Sequence, residues 1–310
     1  MGFTLLELLV VVVIIAILIG LLVPAVVSSI RVARDAEVRS DIAVLEDAIA
    51  KFKVTFGTEP PSQIALYPTP AGWEASAVTR RHKGAIKQLW PQFDFASCGG
   101  LSNGTTFVSP LLAVQPTLDL SGSECLVFFL GGLVNPTSGA FTGFSKDPQL
   151  PFGSGTTREG PFFEIKGTLK LPVAPTAGDN AWNGRLTDKD GDWFPEYKDT
   201  LTQQQNPYLY FNGTNGYRTD YPTTPWHNTD NFGAIPATMS IKNAYYSSVN
   251  LMAAPGMSAP HKPMGIQIIS PGADGAYGSG GAFNPASPGA LQDPADRDNI
   301  TNFHTGRLGR

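Results

Sequence analysis

A chain of 310 residues is long enough for one large or two ordinary domains and for a sizeable core. Its net charge of −4, with 15% charged residues, supplies no basic footprint, which leaves nucleic-acid binding unsupported. With 33 Gly and 26 Pro, and only Pro24 ahead of residue 60, the carboxy-terminal part should consist of turns, strands and loops rather than long helices.

The chain opens on Gly2-Phe3-Thr4-Leu5-Leu6-Glu7, followed from Leu8 to Val27 by Leu, Val, Ile and Ala interrupted only by Gly20 and Pro24. As a helix this run is about 30 Å long, which matches a bilayer core. A lone acid at its edge costs on the order of a few kcal/mol if it sits deep, so Glu7 needs a partner that neutralises it. Only Met1 precedes Gly2, and the nearest basic residues, Arg31, Arg34 and Arg39, lie beyond the run. Taken alone, that charge bias would leave the bulk of the chain in the cytoplasm.

The segment Gly2 to Glu7 resembles the processing site of type IV prepilins and type II secretion pseudopilins. The resemblance implies that a prepilin peptidase cuts after Gly2 and methylates the new amino-terminal Phe3. It further implies that Glu7 pairs with the amino group of a neighbouring subunit during filament assembly. A proline corresponding to Pro24 loosens the helix in that family, as its missing N–H and ring clash would dictate. Residues 1–2 then read as the residue of a leader whose basic part is trimmed or precedes the recorded start. An ordinary signal anchor or secretory signal peptide is the alternative; the latter has a shorter apolar region.

Beyond Pro24 the helix should continue, because Val38, Ile42, Leu45, Ile49, Phe52 and Phe56 recur at alternating steps of four and three. Arg34, Asp35, Arg39, Asp41, Glu46, Asp47, Lys51 and Lys53 fall on the other faces, and Gly57 followed by Pro60-Pro61 forms a stop. The expected element is one helix over residues 3–57, its transmembrane half at 5–27, roughly 80 Å long. Residues 58–121 read as irregular, apart from a short helix from Ser76 to Trp90 with Ile86, Leu89 and Trp90 on its apolar face. Strands are expected at 125–130, 162–165 with 168–171, 208–211 and 266–269.

Two further stretches, Asn206-Pro207-Tyr208-Leu209-Tyr210 and Ile268-Ile269-Ser270-Pro271-Gly272-Ala273-Asp274-Gly275, look like strands and turns of the major pseudopilin of type II secretion. In that subfamily the last strand leads into a G-x-D-G loop that holds calcium. Here the pattern closes late, at Asp298-Asn299-Ile300, after a Gly/Pro/Ala-rich insertion from Gly278 to Ala295. The resemblance makes Asp274, Asp296 and Asp298, with Asp293 nearby, a second candidate calcium site. It says nothing of residues 58–178, which exceed what the compact family core needs.

The first candidate site comes from spacing. Asp188, Asp190, Asp192, Glu196 and Asp199 fall at positions one, three, five, nine and twelve of a twelve-residue stretch. Calcium takes six to eight hard oxygens, and alternate residues of a tight loop can turn carboxylates inward. Trp193 occupies the position where an EF-hand has glycine, and the alternative is a solvated acidic turn. Cys98 and Cys125 are either one disulfide, in an oxidising compartment, or two buried thiols. The four histidines stand apart in sequence and no hydrolase, P-loop or dinucleotide signature occurs, so no enzymatic activity is expected. The five tryptophans are core or interface, or else a sugar-binding face.

These readings converge on an α+β, type IV pilin-like fold: a long helix packed on an antiparallel sheet, with an extracytoplasmic β-rich domain at 58–310. The implied protein is a structural filament subunit, a type II secretion pseudopilin stabilised by structural calcium. Its implied setting is the bacterial inner membrane, spanned once, with the domain in the periplasm or at the cell surface. The implied partners are copies of itself, the prepilin peptidase, the inner-membrane assembly platform and minor pseudopilins. A surface pilin used in adhesion, or a membrane-tethered binding or hydrolytic module, are the alternatives.

Overall fold

The computed structural model describes residues 4–101, 117–135, 137–170, 182–189, 194–201, 204–213, 245–246, 261–262, 265–287, 291 and 293–309. One helix, α1 (Leu5–Phe56), runs unbroken through Pro24 and ends where expected, at Gly57. Gly57 adopts φ 77°, a conformation that suits a residue without a side chain, and its N–H closes the last turn on the Lys53 carbonyl.

The lower half of α1 buries Val38, Ile42, Leu45, Ile49 and Phe52. Two charged residues placed on the outer faces by the sequence pattern, Asp35 and Asp41, are buried as well. The pattern of apolar residues misplaced them because their partners are remote. Arg307 grips Asp35 with two bonds of 2.8 and 2.7 Å. Arg185 grips Asp41 with both guanidinium arms, and the Tyr208 hydroxyl donates to the same carboxylate at 2.8 Å. Glu46 accepts from Lys262 at 2.7 Å and from Asn302 at 2.8 Å. Helix and domain are thereby joined by an apolar stripe flanked with ion pairs.

The domain carries its principal sheet against this half of α1. Strands β7 (Leu209–Asn212), β9 (Ile266–Ser270) and β11 (Ile300–Thr301) form an antiparallel sheet in the order β11–β9–β7, with Leu209 opposite Ile269 and Ile300 opposite Ser270. Alternation sorts their side chains. Tyr208, Tyr210, Ile266, Ile268 and Ile300 belong to the main core with α1, whereas Leu209 and Ile269 join a second core with Tyr245, Tyr277, Phe283, Leu291 and Leu308. Both faces of β9 are covered, so all five of its residues are buried, the polar Gln267 and Ser270 included.

Residues 58–121 hold more order than expected: β1 (Ile64–Leu66) pairs antiparallel with β2 (Leu118–Leu120). Between them α2 (Ala77–Leu89) starts at Ser76, whose hydroxyl and backbone exchange bonds with Thr79, and it buries Ile86 and Leu89 as predicted. The predicted strand at 125–130 is instead a helix, α3 (Gly122–Gly131), buried throughout. A short continuous apolar run does not distinguish a buried strand from a buried helix. The deciding signal is Ser121 three residues before Glu124, whose carboxylate accepts from the Ser121 N–H at 2.7 Å and hydroxyl at 2.6 Å.

Residues 162–165 are likewise not a strand; the N–H groups of Phe162 and Phe163 both donate to the Leu130 carbonyl, supplying donors that the end of α3 lacks. Leu169 makes a single bridge to Trp182. Two-stranded pairs complete the domain: β3 (Phe144–Ser145) with β4 (Arg158–Glu159), β5 (Leu186–Thr187) with β6 (Glu196–Tyr197), and β8 (Tyr245–Tyr246) with β10 (Gly281–Ala282). Trp73, Trp90 and Trp182 are core residues, the first of the two readings given them; Trp193 and Trp226 lie outside the described residues.

Candidate assembly helix and metal sites

The upper half of α1 is built for contact with something apolar. Every residue from Thr4 to Arg34 is exposed, including the aliphatic run from Leu8 to Val27 with its Gly20 and Pro24. Among the described residues α1 is the one helix long and apolar enough to cross a membrane, and an amino-terminal signal sequence has the same character. Within α1, Pro24 has no N–H to offer the Gly20 carbonyl one turn earlier. Gly20 has open space where a side chain would stand.

Glu7 occupies the first turn of α1 and performs a task that the sequence reading missed. Its carboxylate accepts from the Thr4 N–H and the Thr4 hydroxyl, each at 2.8 Å, while the Glu7 N–H donates to the Thr4 hydroxyl at 3.3 Å. This is a reciprocal cap, legible as Thr followed three residues later by Glu ahead of an apolar run. The acid is therefore held in a fixed position with its charge still in the first turn, where the positive end of the helix dipole favours it. Gly2 and Phe3, the expected processing residues, lie outside the described residues.

The described acids between Asp188 and Asp199 fall on different elements. Leu186 pairs with Tyr197 and Thr187 with Glu196, so residues 188–195 connect the two strands of a hairpin. Glu196 is fully buried and accepts from the Lys189 N–H at 2.6 Å. Asp199, beyond the hairpin, is engaged elsewhere: it accepts from Ser270 at 2.6 Å, from the Leu201 N–H at 2.9 Å and from Gln204 at 3.3 Å. Burial pushes its carboxyl above the usual carboxylate range. Asp190 and Asp192 lie outside the described residues, and Asp188 stands at the start of the hairpin loop.

At the second candidate site the loop after β9 folds back onto Asp298. The Asp298 carboxylate accepts from the N–H groups of Ala273 and Asp274 through Oδ2, at 2.7 and 3.0 Å. Its Oδ1 is buried and accepts no hydrogen bond among the described residues. The Asp274 carboxyl is raised first by burial and then by the charge of Asp298. An orphaned carboxylate oxygen beside a second carboxyl suits a hard cation.

Asp296 belongs to a separate buried network. It accepts from Tyr245 at 2.6 Å, from the Gly280 N–H at 3.0 Å and from the Ser279 N–H at 3.3 Å, and burial pushes its carboxyl up to about 6. Among the described residues no three of His, Cys, Asp and Glu come together as a metal-holding group.

Cys98 and Cys125 are buried thiols, the second of the two readings given them. Their Sγ atoms donate to the Phe95 and Leu120 carbonyls, at 3.7 and 3.4 Å. His82 is buried on the side of α2 that meets β1, where its Nδ1 accepts from the Ala65 N–H at 3.3 Å, and burial pushes its pKa down to about 4. His261 lies flat on Phe303, with ring centroids 4.7 Å apart. No family model, curated protein or solved structure matches the chain.

Proposed function

We propose that this chain is a structural subunit of a type IV-like filament, of the type II secretion pseudopilin kind, with a type IV pilin-like fold. Before assembly it waits in a bacterial inner membrane, spanned once by α1, with the domain on the far side. The observation that carries this reading is the single helix whose first half exposes an apolar surface while its second half is built into a folded domain. Such a subunit has a place for its apolar half in two settings: in lipid before assembly, and against the helices of neighbouring subunits afterwards. Polymerisation would then be transfer between two apolar environments, with the prepilin peptidase, an assembly platform and minor pseudopilins as the partners that prepare and drive it.

The decisive experiment is mass spectrometry of the protein purified from its native membrane. The expected mature chain begins at Phe3 and carries one added methyl group. An intact Met1, or a cut elsewhere in the apolar run, would leave α1 as an anchor or a signal sequence and favour a membrane-tethered module.

Calcium enters this reading as a structural ion. Asp274 and Asp298 are the residues that would hold it, together with carbonyls of the 272–275 loop; Asp188 and the hairpin loop form the other candidate. Bound there, the ion would neutralise carboxylates that otherwise repel one another. Calcium in large excess over its dissociation constant should stabilise the domain by about 3 kcal/mol, equivalent to a shift of several degrees in melting temperature. A melting temperature unaffected by chelator and by added calcium would remove both sites, and Asp298→Asn tests the second site separately.

A further inference from the structure

The charges nearest the apolar run are arranged asymmetrically. Residues 8–30 carry none, and as a helix they measure about 35 Å, close to the ~30 Å core of a bilayer. With Glu7 at one boundary, the other boundary falls at Arg31, and Arg34 lies one turn further along the same side of α1.

Both arginines are exposed, and neither has a carboxylate within 4 Å among the described residues. That sets them apart from Lys51, Lys53, Lys262 and Arg307, each of which is paired with an acid. The adjacent acid, Asp35, is turned into the domain and occupied by Arg307, so it does not offset them. Glu37 is exposed one turn further on and forms no ion pair with Arg34 among the described residues. The domain begins immediately beyond, with Asp35 and Val38 buried.

We propose that Arg31 and Arg34 form a cationic collar that binds the phosphate groups of anionic phospholipids in the leaflet from which the domain emerges. This rests on the membrane-span reading of α1. Guanidinium groups present a fork of donors that matches phosphate oxygens, and long side chains at the end of a span reach into the headgroup layer while their stems stay in apolar surroundings. The collar gives these arginines a role on the domain side of the membrane, where a rule based on topology alone would not place them. It fixes how deep the helix sits and holds the domain at the membrane surface.

The test uses the full chain in a neutral detergent, incubated with equal amounts of phosphatidylglycerol and phosphatidylcholine, with the retained lipid measured by native mass spectrometry. At roughly fivefold per cation near a lipid surface, wild type should favour phosphatidylglycerol by about 25-fold, and Arg31→Gln with Arg34→Gln should bring the ratio near parity. Lys51→Gln with Lys53→Gln should leave the preference intact. Equal retention by wild type, a preference kept by the arginine variant, or one lost equally in the lysine variant would overturn the collar. So would displacement of the lipid by excess inorganic phosphate, which would mark a site for the free anion. Flotation with neutral vesicles separates the two ideas: a chain that fails to float refutes the membrane span itself, whereas one that floats without lipid preference refutes only the collar.

Discussion

Asp41→Ala should lower the unfolding free energy of the domain by about 3–5 kcal/mol, the range found when one member of a buried ion pair is removed. The side chains of Arg185 and Asp41 are only 15% and 8% exposed, so solvent cannot replace the missing carboxylate. Arg185 would retain the Lys198 carbonyl and the face of Tyr197, 4.3 Å from its guanidinium carbon, but would keep an uncompensated charge. Tyr208, fully buried, would lose its acceptor as well. Denaturation of the full chain in detergent, followed by tryptophan fluorescence, measures the loss. Asp41→Leu combined with Arg185→Met should lie closer to wild type than Asp41→Ala, because removing both charges abolishes the desolvation cost along with the attraction. A loss below about 1 kcal/mol for Asp41→Ala would mean that the pair is solvated after all.

At the other end of α1, Glu7→Ala should reduce filament formation by about a hundredfold while leaving membrane insertion intact. The estimate corresponds to stranding a neighbour's charge in an apolar setting, on the order of 3 kcal/mol. The cap on Thr4 makes Ala ambiguous, since truncation removes both the charge and the cap. Glu7→Gln separates the two contributions: its side-chain oxygen can still accept from the Thr4 N–H, but the charge is gone. If assembly depends on charge pairing between subunits, both variants fail. Filaments of Glu7→Gln at wild-type yield, counted by electron microscopy after shearing, would show that Glu7 serves assembly only by ordering the first turn.

What could be read from the sequence followed the range of the interactions involved. The long helix, its stop at Gly57 and the start of α2 at Ser76 depend on neighbours within a few residues and were visible; β7 and β9, which pair with each other from distant parts of the chain, were visible because each is a short apolar run bounded by turn residues. The turn from Gly272 to Gly275 was visible for the same reason as the helix stop. The inward rotation of Asp35 and Asp41 was not, because polar residues beside an apolar stripe face solvent unless a cation reaches them, and Arg307 and Arg185 stand 272 and 144 residues away. The α3 segment failed differently: Leu126 to Leu130 lack a polar face from which to read a period, and the Ser121–Glu124 cap outside the run was the informative feature. At the candidate sites, the acid spacing from 188 to 199 suggested a loop where pairing of β5 with β6 makes a hairpin and leaves Asp199 with other partners. Glu7 was singled out for its charge, and its reciprocal bond to Thr4, equally legible, was overlooked.

The clamp between Asp35 and Arg307 also sets an order of events. A membrane-spanning α1 would enter the bilayer within seconds of its synthesis, long before residue 307 leaves the ribosome at ordinary rates of elongation. Until Arg307 arrives, Asp35 has no buried partner, and the turn of the helix around it waits undocked even after Phe52 has packed on Phe129 and Phe162 and Arg185 has reached Asp41. On the membrane-span reading, the bilayer would hold the spine in place while the domain is delivered to it, and docking would be complete only when Arg307 reaches Asp35. Slowing the delivery of the distal segment should leave a species whose α1 is inserted but whose helix turn around Asp35 remains open to proteolysis.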